Sequence, residues 1–165
     1  MGLGCVGISQ FDKADTLFSE GLTAAREFGH RRFVSMFLSG MGVLETYRGK
    51  FDLAMAYATE SLQIAQLIQT PWDTCIALNT FGEIHLKRGN LDDSIRFFEE
   101  SLAIASRFRF VEQSGVILFR LAMLQSYRED LIKALEIANE SLKLFVEIGY
   151  VMQHEVRAFI DNLGR

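Results

Sequence analysis

Few residues in this sequence have types and spacings that could support catalysis or cofactor binding. Residues 2–7 match the Gly-x-Gly-x-x-Gly dinucleotide fingerprint, but that motif requires a preceding strand, and none is found here. Residues 42–50 resemble a phosphate-binding loop, but six residues separate the glycines where that loop has four. His154-Glu155 begins like a zinc-protease motif, but Ala158 occupies the position of the second histidine ligand. We therefore interpret all three segments as structural.

The remaining metal-ligating and nucleophilic side chains are isolated from one another. His30 and His85 have no second ligand at helical spacing, and Cys5 and Cys75 are too far apart in sequence to define a zinc site or a disulfide framework. Spacing also singles out no Ser/His/Asp arrangement. We therefore predict no catalytic residue, no metal site and no cofactor, and an enzyme is the weakest of the functions considered.

The composition limits the class of protein and its partners. The 165 residues contain 17 Lys and Arg against 21 Asp and Glu, so the basic excess typical of nucleic-acid-binding proteins is missing. The longest aliphatic or aromatic run, Val116–Phe119, is far shorter than the ~20 residues of a transmembrane helix. Pro71 is the only proline, which favours helices over turn-rich β structure. Two unpaired cysteines suit a reducing compartment, so we predict a cytoplasmic protein with no direct nucleic-acid or membrane partner.

The sequence repeats itself with a period of 40 residues. A glutamate recurs at this offset, and a leucine follows it two residues later each time; the glutamates are Glu20, Glu60, Glu100 and Glu140. Small residues and arginines align at the same offset, namely Gly42, Gly82 and Ala122, and Arg48, Arg88 and Arg128. Many columns at one offset, with no gap, indicate stacked copies of one supersecondary unit.

Each repeat contains two amphipathic helical patterns. Over 33–47 and over 51–68, apolar or small residues recur at spacings of three and four, which places them on one helix face. Gly49 between the two patterns can take the left-handed conformation that ends a helix. In a later turn Glu129 replaces this glycine, and Asp130 is the predicted N-cap of the next helix. The sequence thus predicts an all-α protein of antiparallel helix hairpins that cover one another's apolar faces.

These residues resemble the tetratricopeptide repeat (TPR) family. The residues that follow the family pattern in order are Gly82, Gly89, Leu91, Asp92, Ser94, Phe98, Ser101 and Leu102. The repeat departs from the family in its length, 40 residues where 34 is usual, and in Glu45, His85 and Gln125, which replace a tyrosine. The resemblance implies a TPR-like, right-handed α-solenoid. It would form a single array over residues 1–165, with units at about 1–30, 31–70, 71–110 and 111–150 and a terminal half-repeat at 151–165.

The stretch 77–105 is similar to the long repeats in the C-terminal sensor arrays of large bacterial ATP-dependent transcriptional regulators. This resemblance implies a non-catalytic scaffold that binds a protein, a peptide or a small inducer within a bacterial signalling or transcription regulator. The alternative is a structural spacer or oligomerisation module with no ligand.

The ends of the chain fall inside first helices of the 40-residue frame, so we expect a piece of a longer array. Two apolar sides would then be poorly covered and could support self-association. They are Leu17, Phe18 and Leu22 near the start, and Val156, Phe159 and Ile160 near the end.

In the TPR family, the first helix of each repeat lines a groove that binds the partner. Transferred residue by residue, the resemblance implies a partner-binding groove of Ser39, Val43, Tyr47, Asn79, Glu83, Leu86, Lys87, Phe119, Arg120, Met123 and Tyr127. Asn79 and Lys87 are candidates to hold a peptide backbone or carboxylate, and the later aromatic and methionine residues are candidates to hold an apolar side chain. For each residue the alternative is packing between helices.

Overall fold

The described part of the chain folds into eight α-helices. A computed structural model describes residues 4–164, with side chains from residue 11 onward. The helices are α1 (Gly4–Glu27), α2 (Arg31–Tyr47), α3 (Phe51–Leu67), α4 (Pro71–Arg88), α5 (Leu91–Arg107), α6 (Val111–Tyr127), α7 (Leu131–Glu147) and α8 (Gln153–Leu163). No β-strand occurs within residues 4–164. The predicted all-α class is confirmed, and α2 and α3 correspond closely to the two predicted helical patterns.

The helices form two compact units, Met1–Asn90 and Leu91–Arg165. In the first unit α1 packs against α2, α2 against α3, and α4 against both α2 and α3. In the second unit α5 packs against α6, α6 against α7, and α7 against α8. Because turns of two to five residues join consecutive helices, each packed pair of consecutive helices within a unit is an antiparallel hairpin, as predicted. Following the repeat frame, we call α2, α4, α6 and α8 first helices, and α1, α3, α5 and α7 second helices.

Each of the seven turns between the described helices contains one residue in the left-handed conformation. These residues lie 20 positions apart, with φ between 54° and 82°: Gly29, Gly49, Gln69, Gly89, Arg109, Glu129 and Gly149. The predicted helix-ending role of Gly49 is thus confirmed. At Gln69, Arg109 and Glu129 a Cβ atom makes this conformation unfavourable, by roughly 1–2 kcal/mol for an ordinary residue. Asp130 caps α7 as predicted, because its carboxylate accepts a hydrogen bond from the Lys133 amide at 3.2 Å.

Small residues allow the helices of a hairpin to approach closely. A Cβ atom at Gly42 would lie 3.4 Å from the carbonyl oxygen of Ala54, so the two helices are almost in backbone contact. Buried serines at equivalent positions of the repeat also link second helices to first helices through hydrogen bonds. Ser61 donates to the carbonyl oxygen of Ser35 at 2.8 Å, and Ser141 donates to that of Gly115 at 2.7 Å, both across 26 residues. The recurrence of serine at this column therefore has a packing and hydrogen-bonding cause.

The arginine column has a structural role that spacing alone does not reveal. Each arginine lies at the end of a first helix and pairs with an aspartate 36 residues earlier. Two of these aspartates lie at the start of the preceding second helix, and the third lies within α1. The pairs are Arg48–Asp12, Arg88–Asp52 and Arg128–Asp92. Because every aspartate here is largely exposed, solvent screens each pair, and the pairs contribute little to stability.

The apolar sides predicted to be poorly covered are mostly packed. Leu17 is 65% exposed, in agreement with the prediction. The prediction is wrong for Leu22 and Val156, which are buried in the cores of the first and second units. Leu22 lies on the face of α1 that packs against α2, and Val156 lies on the face of α8 that packs against α7. Phe18, Phe159 and Ile160 are half-buried against the same cores.

Candidate partner-binding surface

Tyr47 and Lys87, two residues of the predicted groove, are in contact on successive first helices of the first unit. The Lys87 Nζ atom is 5.3 Å from the centre of the Tyr47 ring, a distance that allows a cation–π interaction. Phe11 also stacks with the Tyr47 ring, with the ring centres 6.2 Å apart. Both groove residues are exposed, and Lys87 has no ion pair with any residue that the structure describes. An aromatic face and an unpaired ammonium group are therefore presented side by side.

Three further predicted residues, Val43, Asn79 and Leu86, are half-buried on the same two helices. Asn79 precedes Leu86 and Lys87 by seven and eight positions on α4, which places the three on one helix face. The Asn79 Oδ1 atom is shielded from solvent and accepts no hydrogen bond within the described residues. Such an unpaired acceptor costs the folded chain roughly 1–3 kcal/mol.

The structure places three predicted residues inside the packing, where a partner could not reach them. Ser39 is 3% exposed between α2 and α3, where its hydroxyl group hydrogen-bonds to that of Ser61 at 2.8 Å. Phe119 is 2% exposed and packs edge-on against Phe159 of α8, with ring centres 5.4 Å apart. Glu83 is 6% exposed on α4. We therefore leave these three out of the candidate surface.

In the second unit, the other predicted residues share one face of α6. Arg120, Met123 and Tyr127 follow one another at spacings of three and four, which corresponds to a single helix face. Tyr127 is 64% exposed, while Met123 packs partly against the core of the unit. This face presents an aromatic ring next to a flexible thioether, two side chains suited to apolar contact.

The glutamate that replaces the family tyrosine on α2 belongs to a charge cluster. Glu45 is 4% exposed, and its Oε1 atom lies 2.7 Å from Nη1 of Arg48, while Lys50 approaches Oε2 at 3.4 Å. Arg48 also donates to Asp15 at 2.8 Å. Hydrogen bonds to Asp15 and then to Glu45 raise the pKa of Arg48 above its already high ordinary value. The guanidinium group therefore stays charged and neutralises the buried carboxylate, which is a structural role.

The side chains considered for catalysis are not brought together. Among the described side chains, no group of three or more His, Cys, Asp or Glu residues is placed to hold a metal ion. His154 and Glu155 are both exposed on α8, and Cys75 is buried and forms no disulfide. The glycine segment 2–7 lies partly outside the described residues, and the rest of it belongs to α1. No helix in the described part of the chain combines the length and apolarity needed to cross a membrane.

Together, the helix hairpins and the exposed first-helix face define a TPR-like helical-repeat protein. The tetratricopeptide repeat family model matches residues 73–145. The fold is similar to the crystal structure of BtubC (BKLC) from P. vanneervenii, with a TM-score of 0.79 and 18% sequence identity over 93% of this chain. The match covers 65% of BtubC, so this chain spans less than two thirds of that protein's length. No curated protein sequence matches the chain. TPR-like folds are typically non-enzymatic scaffolds for protein–protein interaction.

Proposed function

We propose that this chain is a non-catalytic scaffold that binds a protein or peptide through the exposed face of its first helices. The observation that carries the proposal is the contact between Tyr47 and Lys87, because it joins two successive first helices at an exposed, unpaired cation. In this proposal Lys87 pairs with a carboxylate of the partner, and the Tyr47 ring contacts the neighbouring apolar group.

Asn79 would hold the backbone of the same partner segment. Asn79 is half-buried on the face of α4 that carries Lys87, and a side-chain amide can both donate to and accept from the backbone of an extended segment. The preferred partner of the first unit is therefore an extended segment that carries an acidic residue beside an apolar one. In the second unit, Met123 and Tyr127 would contact an apolar side chain.

A narrower proposal concerns the biological setting. The similarity of residues 77–105 to sensor arrays supports a role as the interaction part of a bacterial signalling or transcription regulator in the cytoplasm. The genomic DNA on both sides of the reading frame tests this setting. An ATPase and a DNA-binding helix pair encoded in the same frame would support it, and unrelated genes on both sides would contradict it.

Selection of peptides from a random displayed library on the purified chain tests the binding surface. A selected peptide is then titrated by fluorescence anisotropy against Tyr47→Ala/Lys87→Ala. The matched control is Leu53→Ala/Lys133→Ala, which removes an exposed apolar residue and a lysine from second helices. We expect the first double variant to bind roughly tenfold more weakly and the control to bind as the wild type does.

Equal binding by the wild type and Tyr47→Ala/Lys87→Ala would remove this surface from the proposal. A chain that selects no peptide and forms oligomers as its concentration rises would instead support the spacer or oligomerisation function. Analytical ultracentrifugation across a concentration series distinguishes that outcome.

A further inference from the structure

The turn between α1 and α2 carries an exposed apolar pocket of about 290 Å³. The end of α1 lines it with small residues such as Gly21 and Ala25, and the turn and the start of α2 line it with larger ones. Among the larger ones, Phe28, Phe33 and Met36 are 75%, 51% and 47% exposed. Single exposed apolar residues are common on protein surfaces, but three large ones around one pocket mark an interaction site.

The next repeat shows how the chain itself fills a groove of this kind. There α2 packs against both α3 and α4. A Cβ atom at Gly42 of α2 would lie 3.7 Å from the amide nitrogen of Ala58 and 3.1 Å from Cγ2 of Thr80. Ala58 and Thr80 are therefore part of the surface on which the first helix α2 rests.

Aromatic rings occupy the equivalent place between α1 and α2. Phe18 takes the position of Ala58 in the 40-residue frame. Its ring covers Gly40, the equivalent of Thr80, because a Cβ atom at Gly40 would lie 2.9 Å from Cζ of Phe18. Phe37 packs against Phe18, with the ring centres 6.4 Å apart. A first helix could not rest here as α2 rests on α3 and α4, so the pocket beside the rings is open to a side chain instead.

The pocket and the ring of Phe28 are complementary in size and polarity. A cavity of about 150 Å³ holds a benzene-sized ring, so a pocket of about 290 Å³ has room for an aromatic side chain. Phe28 itself stands at the rim of the pocket with most of its ring in solvent. One patch thus carries both a projecting apolar ring and a hole that fits it. An interface between two identical surfaces related by a two-fold axis requires this combination.

The charges beside the pocket also favour a second copy of the chain. Glu27 and Arg31 flank the turn, and both are exposed and form no ion pair with a residue that the structure describes. The neighbouring Arg26 and Arg32 are already paired with carboxylates of the chain. A two-fold axis would place Glu27 of each copy opposite Arg31 of the other, which a purely acidic or purely basic partner could not match.

We propose that two copies of this chain form a two-fold symmetric dimer through the pocket at the α1–α2 turn. Phe28 of each copy inserts into the pocket of the other, and Phe33 and Met36 close around it. Glu27 and Arg31 pair across the rim and fix the orientation of the two copies. Because a two-fold interface uses the same patch on both copies, assembly stops at the dimer.

Sedimentation of the full chain by analytical ultracentrifugation across a concentration series tests the proposal. We expect an equilibrium between monomer and dimer with no larger species. Phe28→Ser/Phe33→Ser should weaken the dimer at least tenfold. The matched control is Leu131→Ser/Ile132→Ser, which removes residues that are 45% and 77% exposed on α7, and this variant should dimerise as the wild type does. Circular dichroism checks that both variants fold.

Three results would overturn the proposal. The first is a chain that stays monomeric up to about 1 mM, where even a weak dimer is populated. The second is growth beyond the dimer as the concentration rises. The third is an association that Phe28→Ser/Phe33→Ser and the control weaken equally.

Charge reversal tests the two-fold arrangement itself. Glu27→Arg and Arg31→Glu should each weaken the dimer roughly fivefold at low salt, because each places like charges opposite one another. Both changes suit the helix dipole, with the arginine at the end of α1 and the glutamate at the start of α2, so both variants should fold. An equimolar mixture of the two variants should associate as tightly as the wild type. A mixture that associates no better than either variant alone would contradict the arrangement.

The dimer and the first-helix surface can be tested separately. Tyr47 lies 14 residues after Phe33 on α2, which is about 21 Å along the helix. Tyr47→Ala/Lys87→Ala should therefore dimerise as the wild type does, and Phe28→Ser/Phe33→Ser should still bind a selected peptide. Failure of one site thus leaves the other to stand on its own result.

Discussion

Gly115→Ala is a substitution whose cost can be worked out from the packing of α6 on α7. A methyl group at Gly115 would lie 2.8 Å from Cδ1 and 3.0 Å from Cζ of Phe145, and closer still to Cε1. Phe145 is fully buried in a cluster that includes Phe119 and Val156 and also packs against Tyr150. The ring therefore has no free space to move into, and either the helices or the ring must shift.

The expected cost is about 2 kcal/mol of unfolding free energy. Overpacking of a buried site costs up to about 3 kcal/mol, and replacement of glycine by alanine within a helix returns about 1 kcal/mol. Gly21→Ala is the matched control. Its methyl group would lie 2.6 Å from Cε1 and 2.8 Å from Cε2 of Phe37, a clash at least as close, but that ring is half-buried, so we expect it to shift towards solvent. Gly21→Ala should therefore cost less than about 1 kcal/mol.

Urea denaturation followed by circular dichroism measures both variants, with equal m-values required for the comparison. A double-mutant cycle with Phe145→Leu then tests the cause, because the smaller side chain should relieve the clash. We expect a coupling free energy of about 1–2 kcal/mol between the two positions. A Gly115→Ala variant as stable as the wild type, or a coupling near zero, would refute the packing argument.

Three further predictions concern the turns and one tyrosine. Glu129→Gly should stabilise the chain by about 0.5–1 kcal/mol, because glycine tolerates φ = 62°; a lower midpoint in urea would contradict this. Gly89→Ala should destabilise by about 1 kcal/mol through its φ of 82° alone, since no neighbouring atom lies within 4 Å of the added methyl group, and the same urea titration measures it. A hydrogen bond to Glu112 raises the pKa of Tyr150 above its ordinary value, so the folded state holds this proton more tightly than the unfolded chain. Stability should therefore fall as the pH rises above about 10, and phenolate absorbance should show the highest-pKa tyrosine disappearing in Tyr150→Phe.

The helices could be predicted because the 40-residue repeat samples the same pattern several times. Apolar and small residues that recur at spacings of three and four predicted both helices of a hairpin. Gly49 and Gly89 predicted where first helices end. The unit boundaries at about 70 and 110 predicted where these turns lie, but the left-handed conformation of Gln69 and Arg109 was not predicted, because those residue types do not indicate it. That conformation follows only from the 20-residue period of the folded backbone.

The candidate surface could be predicted only in part. Column position identified Tyr47 and Lys87, which are exposed, but it also included Ser39 and Phe119, which are buried. The position of a residue within the 40-residue repeat indicates which helix face it lies on. It does not indicate how deeply a neighbouring helix buries that residue.

The central claim is that a partner binds to the first helices of the first unit. Hydrogen–deuterium exchange of the chain, with and without a peptide selected on it, tests this claim most directly. We expect slower exchange over residues 43–47 and 79–87, with no change over α3. Slower exchange confined to α3, with residues 43–47 and 79–87 unaffected, would contradict it.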